Sequence, residues 1–464
     1  MPMRLRGSMM FHVEHPAGLS WAERDKAVLW HPFTSMKEWM EGEPLIIERA
    51  EGRYLIDTAG RRYFDAVSSL WVTVHGHSHP AIVEAMERQI RSLDHSTLLG
   101  LAHPTSIELA EQLLDLAPHG MARVFYSDSG STAVEIALKQ AFQYWAQVGR
   151  PAKCRFLHLS DAYHGDTLGV VGVGGIPVFH RIFGPLIVTG INLPSPAPAR
   201  TESAEQALGR ALAELEDTLS AHGHELAAFV LEPLVQGAAG MLVHPPGYLR
   251  AAADLCTRHD VLLIADEVAT GFGRTGTMFA CEQEGVTPDF LCVAKGLTGG
   301  TVPLAATIST ERVFSAFRHP RSEQGTFFHG HTYTGNPIAC AAALANLELF
   351  RTEGTLSHVA RLRGWMAAAL AELGATTWVD RTRQCGVMAG IELGHEGQPF
   401  PPDAFTGGAV AEAARAHGVI MRPLGDTLVW MPPLTTTEAE VRALAEATRA
   451  AIRDVCAPDV PRGT

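Results

Sequence analysis

Residues 261–267, with the sequence VLLIADE, decide the fold class, because five consecutive apolar residues lead directly into Asp266 and Glu267. A run without polar alternation is typical of a strand that is covered on both faces. Residues 290–296, FLCVAKG, repeat this pattern and lead into Lys295. Strands covered on both faces occur in parallel sheets between layers of helices, so the two runs predict an α/β protein.

The rest of the chain alternates between helical and strand patterns. Apolar residues at helical spacing predict helices at residues 79–93, 106–116, 131–146, 247–258, 337–350, 357–373, 404–417 and 437–455. Short runs rich in β-forming residues predict strands at residues 123–127, 155–159, 228–232, 261–266, 290–294, 304–308, 387–392 and 428–431. The alternation predicts a mostly parallel sheet with helices on both faces.

The pattern also predicts a domain organisation. Residues 75–340 contain most of the predicted strands and are expected to form a large domain. After Phe350 long amphipathic helices with few strands predict a smaller domain over residues 341–464. Residues 26–74 are expected to pack with the small domain, and residues 1–25 to form a disordered extension.

Composition narrows the class of function. The 464 residues carry a net charge of −13 without a Lys/Arg tract, which argues against nucleic-acid binding. No apolar run approaches the roughly 20 residues that span a membrane. The seven cysteines form no CxxC pair, and His329 and His331 lack Cys or carboxylate partners at ligand spacing. We therefore expect a cytoplasmic, small-molecule protein with reduced thiols and no metal.

Three features at predicted strand ends point to one cofactor. Desolvation of Lys295 would lower its pKa and make it a nucleophile able to form a Schiff base. Asp266 would be a partly buried carboxylate in need of a cationic partner. Residues 127–135, SDSGSTAVE, open a predicted helix whose free N–H groups suit a phosphate. Each feature alone also fits a structural role, but together they match what pyridoxal 5'-phosphate needs: an amine for its aldehyde, an anion for its ring nitrogen and donors for its phosphate.

A competing motif lies between these features. Residues 271–276, GFGRTG, fit the G-x-G-x-x-G pattern of dinucleotide-binding proteins. The glycines begin four residues beyond Glu267 rather than at the strand tip, and no clear helix pattern follows them. The sequence therefore disfavours an NAD-dependent dehydrogenase, which stays a distant alternative.

The residues resemble class III, fold-type I aminotransferases. Residues 266–276, DEVATGFGRTG, are similar to the signature of that family, and Lys295 follows 29 residues after Asp266. The similarity runs from about Trp30 to the C-terminus. It implies a large domain with a mostly parallel seven-stranded sheet, a smaller α+β domain and pyridoxal phosphate bound at Lys295.

Within the class, seven short strings resemble the aminotransferases of biotin biosynthesis. They are LWHPFTSM at 29–36, VHGH at 74–77, FYSDSGS at 125–131, AYHGDT at 162–167, VQGA at 235–238, MRP at 421–423 and MPP at 431–433. This resemblance implies transfer of an amino group to 8-amino-7-oxononanoate by a two-step (ping-pong) mechanism. It also implies an obligate homodimer with shared active sites.

The resemblance assigns roles to individual residues. Lys295 would hold the cofactor and shuttle the substrate proton, Asp266 would pair with the ring nitrogen, and Gly130 and Ser131 would bind the phosphate. Tyr163 would lie against the ring and near the substrate.

The remaining assigned roles concern the substrates and the subunit contact. Arg422 would bind the carboxylate of the acceptor. Gly330, His331 and Thr332 would reach the phosphate and substrate of the neighbouring subunit.

Two positions depart from the usual pattern of these enzymes. Phe33 stands where Tyr is usual, and Leu70 precedes Trp71 where two tryptophans are usual. These positions line the pocket for S-adenosylmethionine, the usual donor. A more apolar pocket resembles the subgroup that uses lysine, so we hypothesise that lysine is accepted, alongside or in place of S-adenosylmethionine. Another class III activity, on ω-amino acids or diamines with pyruvate, and a non-enzymatic binding protein stay open as alternatives.

Overall fold

The computed structural model of the chain describes residues 18–319 and 325–457, in which helices and strands alternate as the sequence predicts. The helices are α1 (Trp21–Val28), α2 (Met36–Glu41), α3 (Ser68–Trp71), α4 (Pro80–Ser92), α5 (Pro104–Leu116), α6 (Gly130–Gln147), α7 (Leu168–Val171), α8 (Pro177–His180), α9 (Ala204–His222), α10 (Tyr248–Arg258), α11 (Glu311–Ser315), α12 (Pro337–Thr352), α13 (Thr355–Gly374), α14 (Thr406–Ala413) and α15 (Glu438–Cys456). The strands are β1 (Ile47–Glu51), β2 (Tyr54–Asp57), β3 (Arg62–Asp65), β4 (Met121–Ser127), β5 (Arg155–Leu159), β6 (Ile191–Leu193), β7 (Leu226–Leu231), β8 (Val235–Gln236), β9 (Leu242–Val243), β10 (Leu262–Asp266), β11 (Phe290–Val293), β12 (Ala305–Thr310), β13 (Val379–Cys385), β14 (Met388–Leu393), β15 (Val419–Ile420), β16 (Arg422–Leu424) and β17 (Thr427–Trp430).

The described residues form two compact units, one of residues 18–50 and 55–62 and one of residues 51–54 and 63 onward. In the first unit, Ser20 caps α1 with Glu23 in a reciprocal capping box. The Asp25 carboxylate accepts a hydrogen bond from the indole of Trp39 at 2.8 Å. Of the predicted extension over residues 1–25, residues 1–17 lie outside the described residues, and α1 begins within the remainder.

Seven strands of the second unit form the central sheet, in the order β4-β12-β11-β10-β7-β5-β6. Strand β12 runs antiparallel to β4 and β11. The pairs β10–β11, β10–β7, β5–β7 and β5–β6 are parallel. Six strands therefore share one direction, which confirms the predicted mostly parallel sheet of seven strands.

The apolar run of β10 is explained by helices on both sides of this sheet. Leu262 and Ile264 pack into the core cluster that contains the inner face of α6. Leu263 and Ala265 point the other way, into the cluster that contains α10. Burial of a leucine or isoleucine side chain stabilises the fold by about 1.5–3 kcal/mol, so neither face of the strand tolerates a polar residue.

The C-terminal region carries more strands than the sequence predicts. The expectation of few strands after Phe350 is wrong, because β13, β14, β17 and β16 form a four-stranded antiparallel sheet and β15 pairs in parallel with β3. Strands β15 and β16 are only two and three residues long, too short for a periodic pattern. The helix α9 was also not predicted, although Ser203 and Gln206 form a capping box at its start.

Among the described residues, no helix is both long enough and apolar enough to cross a membrane.

Candidate active site

Asp266 and Lys295 meet at one edge of the central sheet because their strands are parallel neighbours. Asp266 is the last residue of β10 and pairs in register with Cys292 of β11, so that Lys295 follows three residues beyond the same edge. Carboxyl ends of parallel strands are where ligands bind in open α/β sheets. Both residues line a cavity of about 670 Å³ in the second unit.

Lys295 is held in a conformation that exposes its amine to this cavity. It begins a 3-10 helix, Lys295–Thr298, and has a positive φ of 42°, which is unusual for a residue with a side chain. Its Nζ atom lies 4.9 Å from the ring centroid of Trp71. Burial lowers the pKa of Lys295, while the charges of Asp266 and Glu232 oppose this effect. The lowered pKa increases the fraction of neutral, nucleophilic amine.

Asp266 is fixed by two hydrogen bonds. His164 donates from Nδ1 to Oδ2 of Asp266 at 2.6 Å, and the backbone N–H of Val268 donates to Oδ1 at 3.0 Å. Burial alone would lower the pKa of His164, but the hydrogen bond and the charges of Asp266 and Glu232 outweigh it and raise the pKa. A protonated His164 stabilises the ionised carboxylate, which is the state that pairs with a protonated ring nitrogen.

Glu232 directly follows β7 and lines the same cavity as Asp266 and Lys295. It accepts hydrogen bonds from the backbone N–H of Tyr163 at 3.2 Å and of Gly237 at 2.9 Å. Burial raises the pKa of Glu232 to about 7; the charge of Asp266 adds to this effect, and the charge of His164 and the two backbone hydrogen bonds oppose it. The carboxyl thus ties two loops around the cavity and changes charge near neutral pH.

The start of α6 lines the cavity and has the free donors that an anion site requires. Ser129 caps the helix by accepting from the N–H of Thr132, which leaves the N–H groups of Gly130 and Ser131 free of helical acceptors. The Ser131 hydroxyl is 2.8 Å from that of Thr167. A Cβ on Gly130 would lie 2.5 Å from Val268, so only glycine fits this close approach. The N-terminus of this 18-residue helix attracts negative charge.

Tyr163 lines the cavity, and the charges of Asp266 and Arg422 both act on its hydroxyl, although Arg422 itself does not line the cavity. Its hydroxyl donates to Asp166 at 2.7 Å, and its ring is nearly parallel to that of His180 at 6.4 Å. Burial is the main cause that raises the pKa of Tyr163, while the charge of Arg422 lowers it. Arg422 is exposed on β16 and makes no ion pair within the described part of the chain, so its guanidinium is available to a ligand.

The other predicted site residues divide into those that line the cavity and those that do not. Trp71 lines it, and its backbone has a positive φ of 66°. Leu70 is half exposed beside it and does not line the cavity. Gly330, His331 and Thr332 also lie outside the cavity wall of this chain, and Phe33 belongs to the first unit.

The glycine-rich residues 271–276 have a structural role instead of a dinucleotide-binding role. They form turns and do not open an α-helix. The Arg274 side chain is buried, and its guanidinium donates to the carbonyl oxygen atoms of Pro432 at 2.6 Å and Thr73 at 2.8 Å. The loop therefore connects to two segments of the second unit that are distant in sequence, around Thr73 and Pro432.

The site fits pyridoxal phosphate in each of its parts. An amine of lowered pKa, a carboxylate fixed beside it and a helix N-terminus with free donors stand around one cavity. The fold and the site together define a pyridoxal phosphate-dependent aminotransferase of fold type I.

Comparisons with known proteins agree with this class. The family model of class III aminotransferases matches residues 36–452. The adenosylmethionine-8-amino-7-oxononanoate aminotransferase of Nitratidesulfovibrio vulgaris (strain Hildenborough) is 53% identical over 92% of this chain and 80% of its own length. The crystal structure of the enzyme of that name from Methanocaldococcus jannaschii has 41% identity and a TM-score of 0.90, covering 94% of this chain and 99% of the other.

A third similar protein has a different name. The amine transaminase of an uncultivated Pseudomonas species, solved in its PLP-bound form, has 36% identity and a TM-score of 0.88 and covers 92% of this chain and 98% of its own. The chain belongs to the class III aminotransferase family, and its cofactor is pyridoxal phosphate.

Proposed function

We propose that this enzyme transfers an amino group to 8-amino-7-oxononanoate and so forms 7,8-diaminononanoate, a step of biotin biosynthesis. The observation that carries the proposal is the 53% identity, over most of both chains, to a relative named for this acceptor. Arg422 adds support, because an unpaired guanidinium near Tyr163 suits a bidentate contact with the acceptor carboxylate.

The donor is S-adenosylmethionine or lysine. The names of the relatives favour S-adenosylmethionine. The departures at Phe33 and Leu70 from the residues usual in these enzymes favour lysine as an argument from sequence, since Leu70 does not line the cavity of this chain. Loss of a hydroxyl that hydrogen-bonds a polar group of the substrate costs on the order of 1–3 kcal/mol of binding free energy, which is enough to change the preferred donor.

The residues of the cavity perform complementary tasks. When bound, pyridoxal phosphate carries the amino group from donor to acceptor and withdraws electrons from the donor α-carbon. The Lys295 amine holds the cofactor and moves the α-proton, for which its lowered pKa is suited. Asp266, which accepts a hydrogen bond from His164, would pair with the ring nitrogen, and the N-terminus of α6 would hold the phosphate.

The proposed active unit is a homodimer. Gly330, His331 and Thr332 lie away from the cavity of their own chain, and Gly330 and Thr332 are exposed. In the proposed dimer this loop reaches the phosphate and substrate of the neighbouring subunit. Sedimentation of the purified enzyme tests for the dimer. Mixing a Lys295→Ala chain with a Thr332→Ala chain tests for shared sites, which predict that the mixed dimers differ in activity from either parent dimer.

The proposed reaction is tested by measuring 7,8-diaminononanoate formation with each donor. We expect turnover of 8-amino-7-oxononanoate by the wild-type enzyme and none by Lys295→Ala at unchanged circular dichroism. Rapid mixing of the holoenzyme with each donor alone then identifies the donor by the change in cofactor absorbance. A change with S-adenosylmethionine but none with lysine ends the lysine hypothesis.

The second candidate is an ω-transaminase that uses pyruvate as acceptor. The fold similarity to the amine transaminase favours it, with a TM-score of 0.88. Turnover of pyruvate as amino acceptor, with none of 8-amino-7-oxononanoate, would establish this alternative and reject the proposed acceptor.

A further inference from the structure

A buried chain of polar side chains ends on the backbone directly after Lys295. Asn346 is fully buried on α12, and its Nδ2 atom donates to the carbonyl oxygen atoms of Gly296 at 2.8 Å and Leu297 at 3.1 Å. Its Oδ1 atom lies 3.0 Å from Nδ1 of His75. The Nε2 atom of His75 lies 3.0 Å from the hydroxyl of Thr355.

When the His75 ring is neutral, the donors and acceptors of this series of side chains have one consistent arrangement. Carbonyl oxygen atoms only accept, so the amide nitrogen of Asn346 must face Gly296 and Leu297 and its oxygen must face His75. His75 then donates from Nδ1, and with a neutral ring its Nε2 accepts from the Thr355 hydroxyl, whose other possible acceptor is the Leu349 carbonyl at 3.4 Å. Burial lowers the pKa of His75 to about 4, so the neutral ring that this arrangement requires is the form present at neutral pH.

The turn that Asn346 contacts is the one that aims the Lys295 amine. Lys295 has a positive φ of 42°, and such a backbone persists only where neighbouring structure enforces it. The turn contains few internal hydrogen bonds, among them Leu297 N–H to Ala294 at 2.9 Å and Gly299 N–H to Gly296 at 3.1 Å. The amide of Asn346 supplies two more, from a helix outside the turn. Gly299 leaves space for this amide, because a Cβ there would lie 2.8 Å from Oδ1 of Asn346.

We infer that Asn346, oriented by His75, is a positioning residue that holds the turn after Lys295 and so aims the Lys295 amine at the cofactor. Asn346 does not line the cavity and touches neither substrate nor reacting atoms. Its effect therefore reaches the chemistry only through the backbone of Gly296 and Leu297. The inference rests on Lys295 as the cofactor lysine and is independent of which donor or acceptor the enzyme uses.

The test compares variants of Asn346 and His75 with a control variant that loses a similar buried contact elsewhere in the protein. Asn346→Leu removes the amide at similar volume, and His75→Leu leaves the amide without its orienting donor. The control is Thr448→Val, which removes the buried hydroxyl that accepts from the indole of Trp430 at 3.2 Å and contacts none of Asn346, His75 and Thr355 by a hydrogen bond. The apoproteins are titrated with pyridoxal phosphate, and the fraction fixed to Lys295 by borohydride is measured by mass spectrometry.

We expect the affinity for pyridoxal phosphate to fall at least tenfold in Asn346→Leu and at least threefold in His75→Leu. Thr448→Val is expected to stay within twofold of the wild type, although the melting temperature falls in all three. If Asn346→Leu does not fold, the comparison of cofactor affinity between His75→Leu and Thr448→Val decides. The inference is overturned if the variants bind pyridoxal phosphate as tightly as the wild type, or if the control loses as much affinity as they do. A wild-type enzyme that carries no cofactor on Lys295 instead contradicts the active-site assignment itself.

Discussion

His164 donates from Nδ1 to Oδ2 of Asp266 at 2.6 Å, and both side chains are buried at the base of the cavity. The two residues are 102 positions apart in the chain and belong to different strand–loop units. This contact fixes the orientation of the carboxylate that we propose as the partner of the cofactor ring nitrogen. His164 would therefore affect the cofactor indirectly, through Asp266.

Replacement of His164 by Leu should weaken cofactor binding and slow turnover. A hydrogen bond to a charged group contributes about 1.5–3 kcal/mol, which corresponds to roughly 10–100-fold in cofactor affinity or kcat. His164→Asn is the matched control, because the Asn amide can donate from nearly the position of Nδ1. Titration with pyridoxal phosphate and steady-state kinetics measure both effects, and equal values for His164→Leu and the wild type contradict this role.

Glu232 should make the folded protein less stable as the pH rises towards neutrality. Burial raises the pKa of Glu232 from 4.5 to about 7 in the fold. A raised pKa means that the contribution of the protonated carboxyl is fully present below about 4.5 and is lost as the pH rises through about 7. The difference in unfolding free energy between wild type and Glu232→Gln should therefore fall across this range, by at most ~3 kcal/mol.

Denaturant unfolding of both holoproteins at a series of pH values measures this difference. The control is Glu108→Gln on α5, an exposed position that does not line the cavity. A Glu232→Gln difference that does not change between pH 4.5 and 7, or that rises, shows that the carboxyl is not protonated in this way.

Gly165→Ala should disrupt the phosphate end of the site. Gly165 has a positive φ of 123°, and a Cβ there would overlap the side chain of Ser131. We expect a stability loss of about 1–3 kcal/mol together with at least tenfold weaker cofactor binding. Gly149→Ala is the control, because Gly149 also has a positive φ, of 77°, but has nothing within 4 Å of an added Cβ.

The comparison isolates the steric contact from backbone strain. Both variants should lose stability, measured by thermal unfolding, but only Gly165→Ala should lose cofactor affinity. A Gly149→Ala variant with the same loss of affinity would show that the positive φ, and not the contact with Ser131, causes the effect.

Arg422 should bind the acceptor through both its charge and the planar geometry of its guanidinium. We expect Arg422→Ala to raise the KM for 8-amino-7-oxononanoate by about 100-fold, the order of a charge-assisted pair of hydrogen bonds. Arg422→Lys should raise it by about tenfold, because an ammonium keeps the charge but cannot bind a carboxylate in a bidentate way. A KM unchanged in Arg422→Ala would remove Arg422 from the acceptor site.

Much of the central sheet could be predicted from the sequence because its strands are local apolar runs. The prediction of a strand at 155–159 agrees with β5 to the residue, and Asp266 ends β10 as expected. Lys295 and Asp266 could be placed together because both follow neighbouring strands of one direction.

Contacts between distant segments could not be predicted in this way. The pairing of His164 with Asp266 and of Asn346 with the backbone after Lys295 follows from the packing of helices and loops on the sheet. Neither contact leaves a periodic signal in the chain. The capping box before α9, in contrast, is a local signal, and the helix could have been predicted from Ser203 and Gln206.

The central claim is that the Lys295 amine holds pyridoxal phosphate covalently. Borohydride reduction of the purified holoenzyme, followed by proteolysis and mass spectrometry, tests it most directly. We predict a single phosphopyridoxyl group on the peptide that contains Lys295, and none in Lys295→Ala. A phosphopyridoxyl group on another lysine, or on none, would contradict the account.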